Sequence, residues 1–467
     1  MTSDRRRTLG GRMRRIEPDQ VAAGGPAQGE SLDPFAEIKA AAQAEAVHEL
    51  GAALASGEVA EDELLEQVQK AIDSALAETG TPLSIADKAR LVREISHNIL
   101  GYGPIEPLLA DDSVTEVMVN NHYTIYVERN GIIEETDVRF GSELHLLQVI
   151  DRIVAQTGRR IDESSPMVDA RLPDGSRVNA IIPPLAISGP SLTIRKFSRD
   201  PLTMDNLVAF GTLSHQAAAF LEACVEGKLN VLVSGGTGTG KTTMLNVLSS
   251  FIPARERIIT IEDAAELKLH QKHVISLESR PANIEGKGQI AIRDLVRNAL
   301  RMRPDRIVVG ECRGVEAVDM LQAMNTGHDG SLTTIHANSP RDALARVETL
   351  VLTGGFDLPL KAIRDQISSA FDLIIHTSRL VDGRRRITHI SEVGRLEGDV
   401  ITLQDLFVAS FVEDTTDKIT SKMTYTGIVP GFIDKLAQNG VTLPKTFFGE
   451  TGAKLDVLRR GTQRRSA

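Results

Sequence analysis

Tryptophan is absent from the 467 residues, and aromatic residues together make up 4% of them. A groove that stacks single-stranded bases on aromatic rings would have to be built from few residues. Cysteine is nearly absent: Cys224 and Cys312 are the only two, far apart in the chain. They show neither a disulfide framework nor zinc-ligand spacing, so no zinc site is expected and a reducing cytosol is the natural compartment. No run of about 18 apolar residues occurs, so no membrane-spanning helix is expected. There is no excess of positive charge either. Lys and Arg number 53 against 63 Asp and Glu, a net charge of −10, which disfavours a nucleic-acid partner. What is present is ample material for cores, with 41% hydrophobic residues and a length that suits two or three domains.

Composition shifts divide the chain. Residues 1–30 are rich in Arg, Gly and Ala and read as a disordered basic tail. The opening "MTSDRRRTLGGRMRRI" has no apolar stretch behind it, so it is not a secretory signal; contact with an anionic membrane surface is the sharper alternative to a plain tail. Residues 31–100 read as helical, with apolar positions at helical spacing in "FAEIKAAAQAEAVHELGAAL", "EDELLEQVQKAIDSALAE" and "SIADKARLVREISHNIL". Ser84 caps the third run, with Asp87 three residues on, and Gly101 and Gly103 stop the helices. Over 101–198 the period falls to two, as in "VTEVMVN", "TIYVERNGIIEE" and "SRVNAIIPPL", with Asn130-Gly131 and Asp174-Gly175 as hairpin turns and one helix near "SELHLLQVIDRIVAQTG". This predicts a small α/β domain. Residues 199–212 read as a linker, and Ser214 caps the next helix. Residues 213–410 alternate apolar strands with helices, the pattern of a parallel sheet covered by helices, and become strand-rich again after about 375. Residues 411–467 read as a mixed, partly disordered extension ending in "LRRGTQRRSA".

The strongest local signal is Gly235-Gly236-Thr237-Gly238-Thr239-Gly240-Lys241-Thr242, with Thr243 opening the helical run behind it. It matches the phosphate-loop pattern without a gap, after an apolar strand at 229–233 and before a helix at 243–251. Glycines let backbone N–H groups converge on phosphate oxygens, and the helix turns its positive end toward the anion. Lys241 supplies charge to the terminal phosphates and Thr242 can hold Mg²⁺. The ligand class is therefore a nucleoside triphosphate.

Phosphoryl transfer also needs acids near the metal and a group that positions water. Two apolar strands deliver candidates. "RIITIEDAAEL" presents Glu262, Asp263 and Glu266, with Glu266 equally readable as a helix cap or solvated acid. "RIVVGECRG" ends in Gly310-Glu311, with glycine where such strands usually carry aspartate. Gly310 reads as leaving space beside the phosphates, and Cys312 as packing. His328 and His336 lie at opposite ends of the short strand in "NTGHDGSLTTIHANSP"; each is either structural or a sensor of the terminal phosphate. Arg293, Arg297 and Arg301, four apart, read as a solvated or subunit-contact face.

With these four motifs in order, the chain resembles the secretion-ATPase superfamily of type II secretion, type IV pili and conjugation. Within it the chain looks most like the pilus-assembly ATPase of tight-adherence (Flp) systems. "GYGPIEPLLADDSVTEVMVN", "VDARLPDGSRVNAIIPPLAISGPSLTIRKF", "RNALRMRPDRIVVGE" and "MLQAMNTGHDGSLTTIHANSPRDAL" carry that likeness, from about residue 85 to about residue 410. The resemblance implies an α/β protein in which a RecA-like P-loop domain follows a smaller N-terminal α/β domain with a PAS-like sheet and a preceding helical region. It implies a homo-hexameric ring with ATP or ADP between the two domains. It makes Glu311 the catalytic glutamate that polarises water, and Glu262 and Asp263, with Thr242, the organisers of Mg²⁺, in part through water. His336 becomes the candidate phosphate sensor, and Arg177, Arg195 and Arg171 the arginines that reach the phosphates from the smaller domain. The implied work is assembly, and possible retraction, of a pilus through an inner-membrane platform protein, with the ring at the inner face of the cytoplasmic membrane and membrane contact only through partners. A conjugation-type traffic ATPase is the neighbouring reading. A DNA translocase and a nucleotide-dependent scaffold without turnover are the more distant ones.

Overall fold

The computed structural model describes residues 35–56, 61–79, 83–99, 101–129, 131–197, 202–280, 282, 287–355, 358–413, 419–443 and 445–448. The basic tail at 1–30, the arginine-rich end and Asn130 of the first expected hairpin turn lie outside them. The chain divides into two compact units, Met1–Pro104 and Ile105–Ala467.

The first unit holds α1 (Ala36–Ser56), α2 (Glu61–Thr79) and α3 (Ile85–Ile99). Each turns one stripe inward: Ile38, Ala42 and Ala46 from α1, Val68, Ala71, Ile72 and Ala75 from α2, and Leu91, Val92, Ile95 and Ile99 from α3. These are helical repeats of three and four, and they meet in one core. Ser84 caps α3 as its spacing predicts, its hydroxyl accepting from Asp87 N at 3.0 Å.

The second unit begins with α4 (Glu106–Ala110), β1 (Val114–Asn121), β2 (Thr124–Arg129), β3 (Ile132–Glu135), α5 (Glu143–Ala155), β4 (Met167–Arg171), β5 (Arg177–Ile181) and β6 (Ser191–Arg195). The six strands form one antiparallel sheet in the order β3-β2-β1-β6-β5-β4. Asp174-Gly175 does turn β4 into β5, with Gly175 at φ +92° and Ser176 N donating to Asp174 Oδ1 at 2.8 Å. One rung of this sheet is charged from strand to strand. Arg171 stands opposite Arg177, Arg177 opposite Arg195, Arg195 opposite Glu116, and Glu116 opposite Glu128.

Within the stretch expected to be a linker lies α6 (Met204–Ala209), started by Thr203, whose hydroxyl accepts from Asn206 N. Then follow α7 (His215–Glu226), β7 (Val231–Gly235), α8 (Lys241–Ser249), β8 (Ile258–Glu262), β9 (Val274–Glu278), α9 (Ile292–Ala299), β10 (Arg306–Val309), α10 (Glu316–Asn325), β11 (Leu332–His336), α11 (Pro340–Thr353), α12 (Leu360–Ala370), β12 (Leu373–Arg379), β13 (Arg385–Glu397), β14 (Val400–Glu413), β15 (Ile419–Tyr425) and α13 (Ile433–Gln438). Ser214 caps α7 by accepting from Ala217 N. The nine strands form one sheet in the order β15-β14-β13-β12-β7-β11-β10-β8-β9. From β12 to β9 neighbours are parallel, and β12 to β15 pair antiparallel. This is the RecA-like domain.

Its strands are apolar on both faces, as covered parallel strands must be. Val231 and Val233 join the core on one side of the sheet and Leu232 the core on the other; Leu373 and Ile375 against Ile374 repeat the pattern. Cys224 and Cys312 are free and buried, one in each core, and burial raises both thiols. Arg297 is exposed, as expected of a solvated or subunit-contact face, and Arg293 is half-buried. Both reach the buried Asp319 of α10, at 2.7 and 2.8 Å. Arg301 remains exposed.

Candidate active site

Parallel register brings the motifs together. His336 is paired with Gly235 across β11 and β7, Val309 with Thr333 across β10 and β11, and Ile261 with Val309 across β8 and β10. The carboxyl ends of four strands therefore deliver Gly235, Glu262, Gly310 and His336 to one edge, where ligands bind in open α/β sheets. A cleft opens there, lined by Thr237, Gly238, Gly240 to Thr243, Glu262 to Ala264, Glu266, Gly310, Glu311, Arg313, His336 and Arg385, with Arg177 and Arg195 on the small-domain side.

The phosphate loop is built as its residue types predict. Gly238 and Gly240 have φ of +69° and +93°, left-handed values that glycine adopts freely. Lys241 is nearly buried; its ammonium donates to Gly236 O at 2.8 Å and lies 3.2 Å from His336 Nε2. Gly235, Gly236 and Thr239 form the back of the loop and do not line the cleft. A Cβ on Gly235 would lie 2.4 Å from Thr377 O, and Thr239 Oγ1 turns inward to Gly236 O and Thr377 Oγ1.

The acids divide into two arrangements. Glu311 has Oε2 held by Arg313 Nη2 at 2.7 Å, while Oε1 is buried without a hydrogen bond and stands 3.2 Å from His336 Nε2. That ring nitrogen cannot both accept from Lys241 and donate to Glu311. Burial and the neighbouring ammonium lower the His336 pKa, which favours the neutral ring; Nε2 is placed to bond Lys241, and no hydrogen bond reaches Glu311 Oε1. Glu262 is 3% exposed. Its Oε1 accepts from Glu266 N at 2.9 Å and Leu267 N at 3.1 Å; its Oε2 is buried with no partner. Burial pushes its carboxyl up to about 7.

Gly310 acquires a reason beyond the one read in the sequence. A Cβ there would lie 2.8 Å from Glu262 Cγ, so the missing side chain makes room for the Glu262 stem at a position that also lines the cleft. Asp263 is half-exposed, accepts from Ser279 Oγ at 3.1 Å and lies 3.7 Å from Arg313. Glu266 is no idle loop acid, since it accepts from Arg177 Nη1 at 2.9 Å.

Two expected residues lie elsewhere. His328 precedes β11 at the end remote from the cleft, where its ring lies 3.3 Å from Ala323 O. A strand advances about 3.3 Å per residue, so β11 itself carries the chain some 16 Å away from it. Arg171 pairs with Glu278 at 3.0 Å. It sits two strands from Arg195 on the charged rung, and strands are about 4.8 Å apart, so it falls outside the cleft. Three lining residues were not singled out in the sequence, Ala264, Arg313 and Arg385. Arg313 stands two positions beyond Glu311 in "GECRG" and was open to notice. Arg385 comes from β13, and only the strand order brings it across.

A P-loop on a RecA-like sheet, with acids at the neighbouring strand ends, defines a nucleotide hydrolase. Residues 99–405 match the family model described as "Type II/IV secretion system protein", and the chain belongs to that family of ATP hydrolases. A putative conjugal transfer protein of Mycobacterium tuberculosis is 39% identical over 315 residues, covering 66% of this chain and 89% of the relative. The type IV secretion system protein VirB11 of Brucella suis is 32% identical over 337 residues, covering 66% of this chain and 92% of the relative. A solved structure of the VirB11 ATPase from the Brucella suis system, in complex with sulphate, is 29% identical and covers 62% of this chain and 95% of that one. Its TM-score is 0.35. Among the described residues no helix is long and apolar enough to cross a membrane.

Proposed function

We propose that this secretion-system ATPase drives a conjugation-type traffic machine, as a homo-hexamer acting on a membrane-embedded partner. The observation that carries the chemical part is Glu311 Oε1, buried and unbonded beside a phosphate loop whose lysine and histidine are already engaged with each other. The names of the relatives at 39% and 32% identity support the conjugation and type IV secretion setting.

In this reading the loop amides and Lys241 bind the phosphates. Arg313 holds Glu311 by one oxygen, so the other accepts from the attacking water and orients it. Arg177 and Arg195 come from the small domain and meet negative charge growing on the transferred phosphoryl. The free Glu262 Oε2, the Thr242 hydroxyl and Asp263 suit a hard cation that takes oxygen ligands and keeps its waters. Mg²⁺ bound there would neutralise phosphate charge. Loss of the terminal phosphate frees Arg177 and Arg195, so the small domain can move with each turnover.

Assembly of a tight-adherence pilus is the second reading, favoured by the four stretches quoted above for that branch. One experiment separates the two. A Glu311→Gln variant is held with ATP and used to capture partners from membranes of the native host, which are identified by mass. A conjugation or type IV secretion channel component supports the first reading; a pilus platform protein replaces it with the second.

A further inference from the structure

The strands β12 and β13 send two arginines over the phosphate loop. A Cβ built on Gly238 would lie 3.4 Å from Arg379 Nη1, and one built on Gly240 3.5 Å from Arg385 Cδ. Arg385 lines the cleft, and Arg379 donates to Gly131 O of the small domain. Facing both is Glu128, on the charged rung of the small sheet. Its carboxylate lies 3.6 Å from Arg379 and 4.0 Å from Arg385. Those are ionic distances without a hydrogen bond: Glu128 Oε1 is buried and unbonded although guanidinium donors stand beside it. The neighbourhood holds Arg195, Arg379 and Arg385 against Glu116 and Glu128, three cations to two anions.

A guanidinium over a glycine of a phosphate loop, paired loosely with a carboxylate, is poised for a better anion. We propose that Arg385 is a phosphate-binding residue supplied by the C-terminal strands, and that Glu128 of the small domain competes with the nucleotide for it. When phosphate arrives, Arg385 turns to it and Glu128 keeps only Arg379 of its two cations. The small domain then registers nucleotide at two places on one rung: Arg177 and Arg195 gain an anion, and Glu128, two strands from Arg195, loses a cation. The inference rests on the cleft being the nucleotide site.

The test is binding of a fluorescent ATP analogue to the full chain in magnesium-free buffer, where hydrolysis does not intervene. Lys241→Ala checks the site itself; wild-type affinity in that variant removes the cleft as the nucleotide site. With Lys241→Ala weakened, Arg385→Gln is expected to weaken binding about tenfold, the loss of one charge-assisted contact, and Arg385→Lys to weaken it less. Glu128→Gln is expected to tighten binding severalfold, because a competing anion is gone, and to have no effect when added to Arg385→Gln. A merely structural carboxylate would give the opposite sign. Weaker or unchanged binding in Glu128→Gln, or wild-type affinity in Arg385→Gln, overturns the proposal while leaving the site intact. If Arg385→Gln does not fold, Arg385→Lys and Glu128→Gln decide it.

Discussion

Two clusters of buried polar groups, at opposite ends of the nine-stranded sheet, are satisfied to different degrees. At the amino end, Arg306 at the start of β10 is wholly buried, yet it bonds Glu256, Gly330 O at 3.2 Å and Val225 O at 2.8 Å. Beside it Asn230, 1% exposed, donates to Ala370 O and accepts from Gly330 N and Ser331 N, at 2.7, 2.8 and 2.9 Å. Gly330 cannot be otherwise, since a Cβ would fall 1.9 Å from Arg306 Nη1. At the carboxyl end, Glu262 Oε2 and Glu311 Oε1 are buried with nothing bonded to them. Buried polar atoms are normally satisfied, so two unbonded carboxylate oxygens on one cleft point to a ligand there. One end joins the strands and the other waits for a substrate.

Substitutions at the two ends should therefore fail in different measurements. The largest effect expected on turnover is from Glu311→Gln, which keeps the shape and removes the charge. Phosphate release should fall by about 10²–10⁴-fold with urea stability unchanged, and a loss of stability instead would make Glu311 a structural acid. Arg306→Met should show the reverse. It leaves Glu256 buried with only Lys228 at 3.5 Å, and the unfolding free energy should drop by about 3–5 kcal/mol. Turnover per folded molecule should stay as in the wild type.

Glu262 gives a smaller effect with a defined sign. Its carboxyl titrates near 7 in the fold against 4.5 ordinarily, so the folded state binds the proton more tightly than the unfolded one. Stability of the nucleotide-free protein is then highest below the ordinary value, declines as pH rises, and levels off above about 7. The total change is about 3 kcal/mol from this group. Urea titrations from pH 5 to 8 should show the decline in the wild type and its loss in Glu262→Gln; equal slopes would remove the assignment. The smallest change expected is from Gly310→Ala, about 1–3 kcal/mol from overpacking against Glu262. The cost should largely vanish in a Glu262→Ala background, as a double-mutant cycle can measure.

What could be read from sequence follows from how local each signal was. The phosphate loop is contiguous, so its residues and flanking strand and helix were legible directly. Glu262 and Glu311 were legible because each ends an apolar run. Side chains whose place depends on register were not. Arg171 and Arg177 sit six positions apart, yet only strand order tells that one faces the cleft and the other Glu278. His328 and His336 share a motif, but a strand between them sends them to opposite ends of the sheet. Arg385 lies in the run "GRRRITHI", where nothing local separates it from its neighbours. That Arg293 and Arg297 share Asp319 was not legible because that acid is on another helix. The helix α6 inside the expected linker was signalled by Thr203 and Asn206, whose side chains bond each other's backbone N–H groups.

The contact between Gly310 and Glu262 also constrains how this site can change over generations. An aspartate at 310, the arrangement more common beside phosphate loops, would have to stand where the Glu262 stem already runs. It becomes admissible only once position 262 has shortened, and a shorter side chain at 262 leaves unsatisfied the two loop amides that Glu262 now accepts from. Each single step toward the commoner layout costs either a steric overlap or two hydrogen bonds. The glycine and the glutamate are thus sterically coupled, and a change at either position calls for a change at the other.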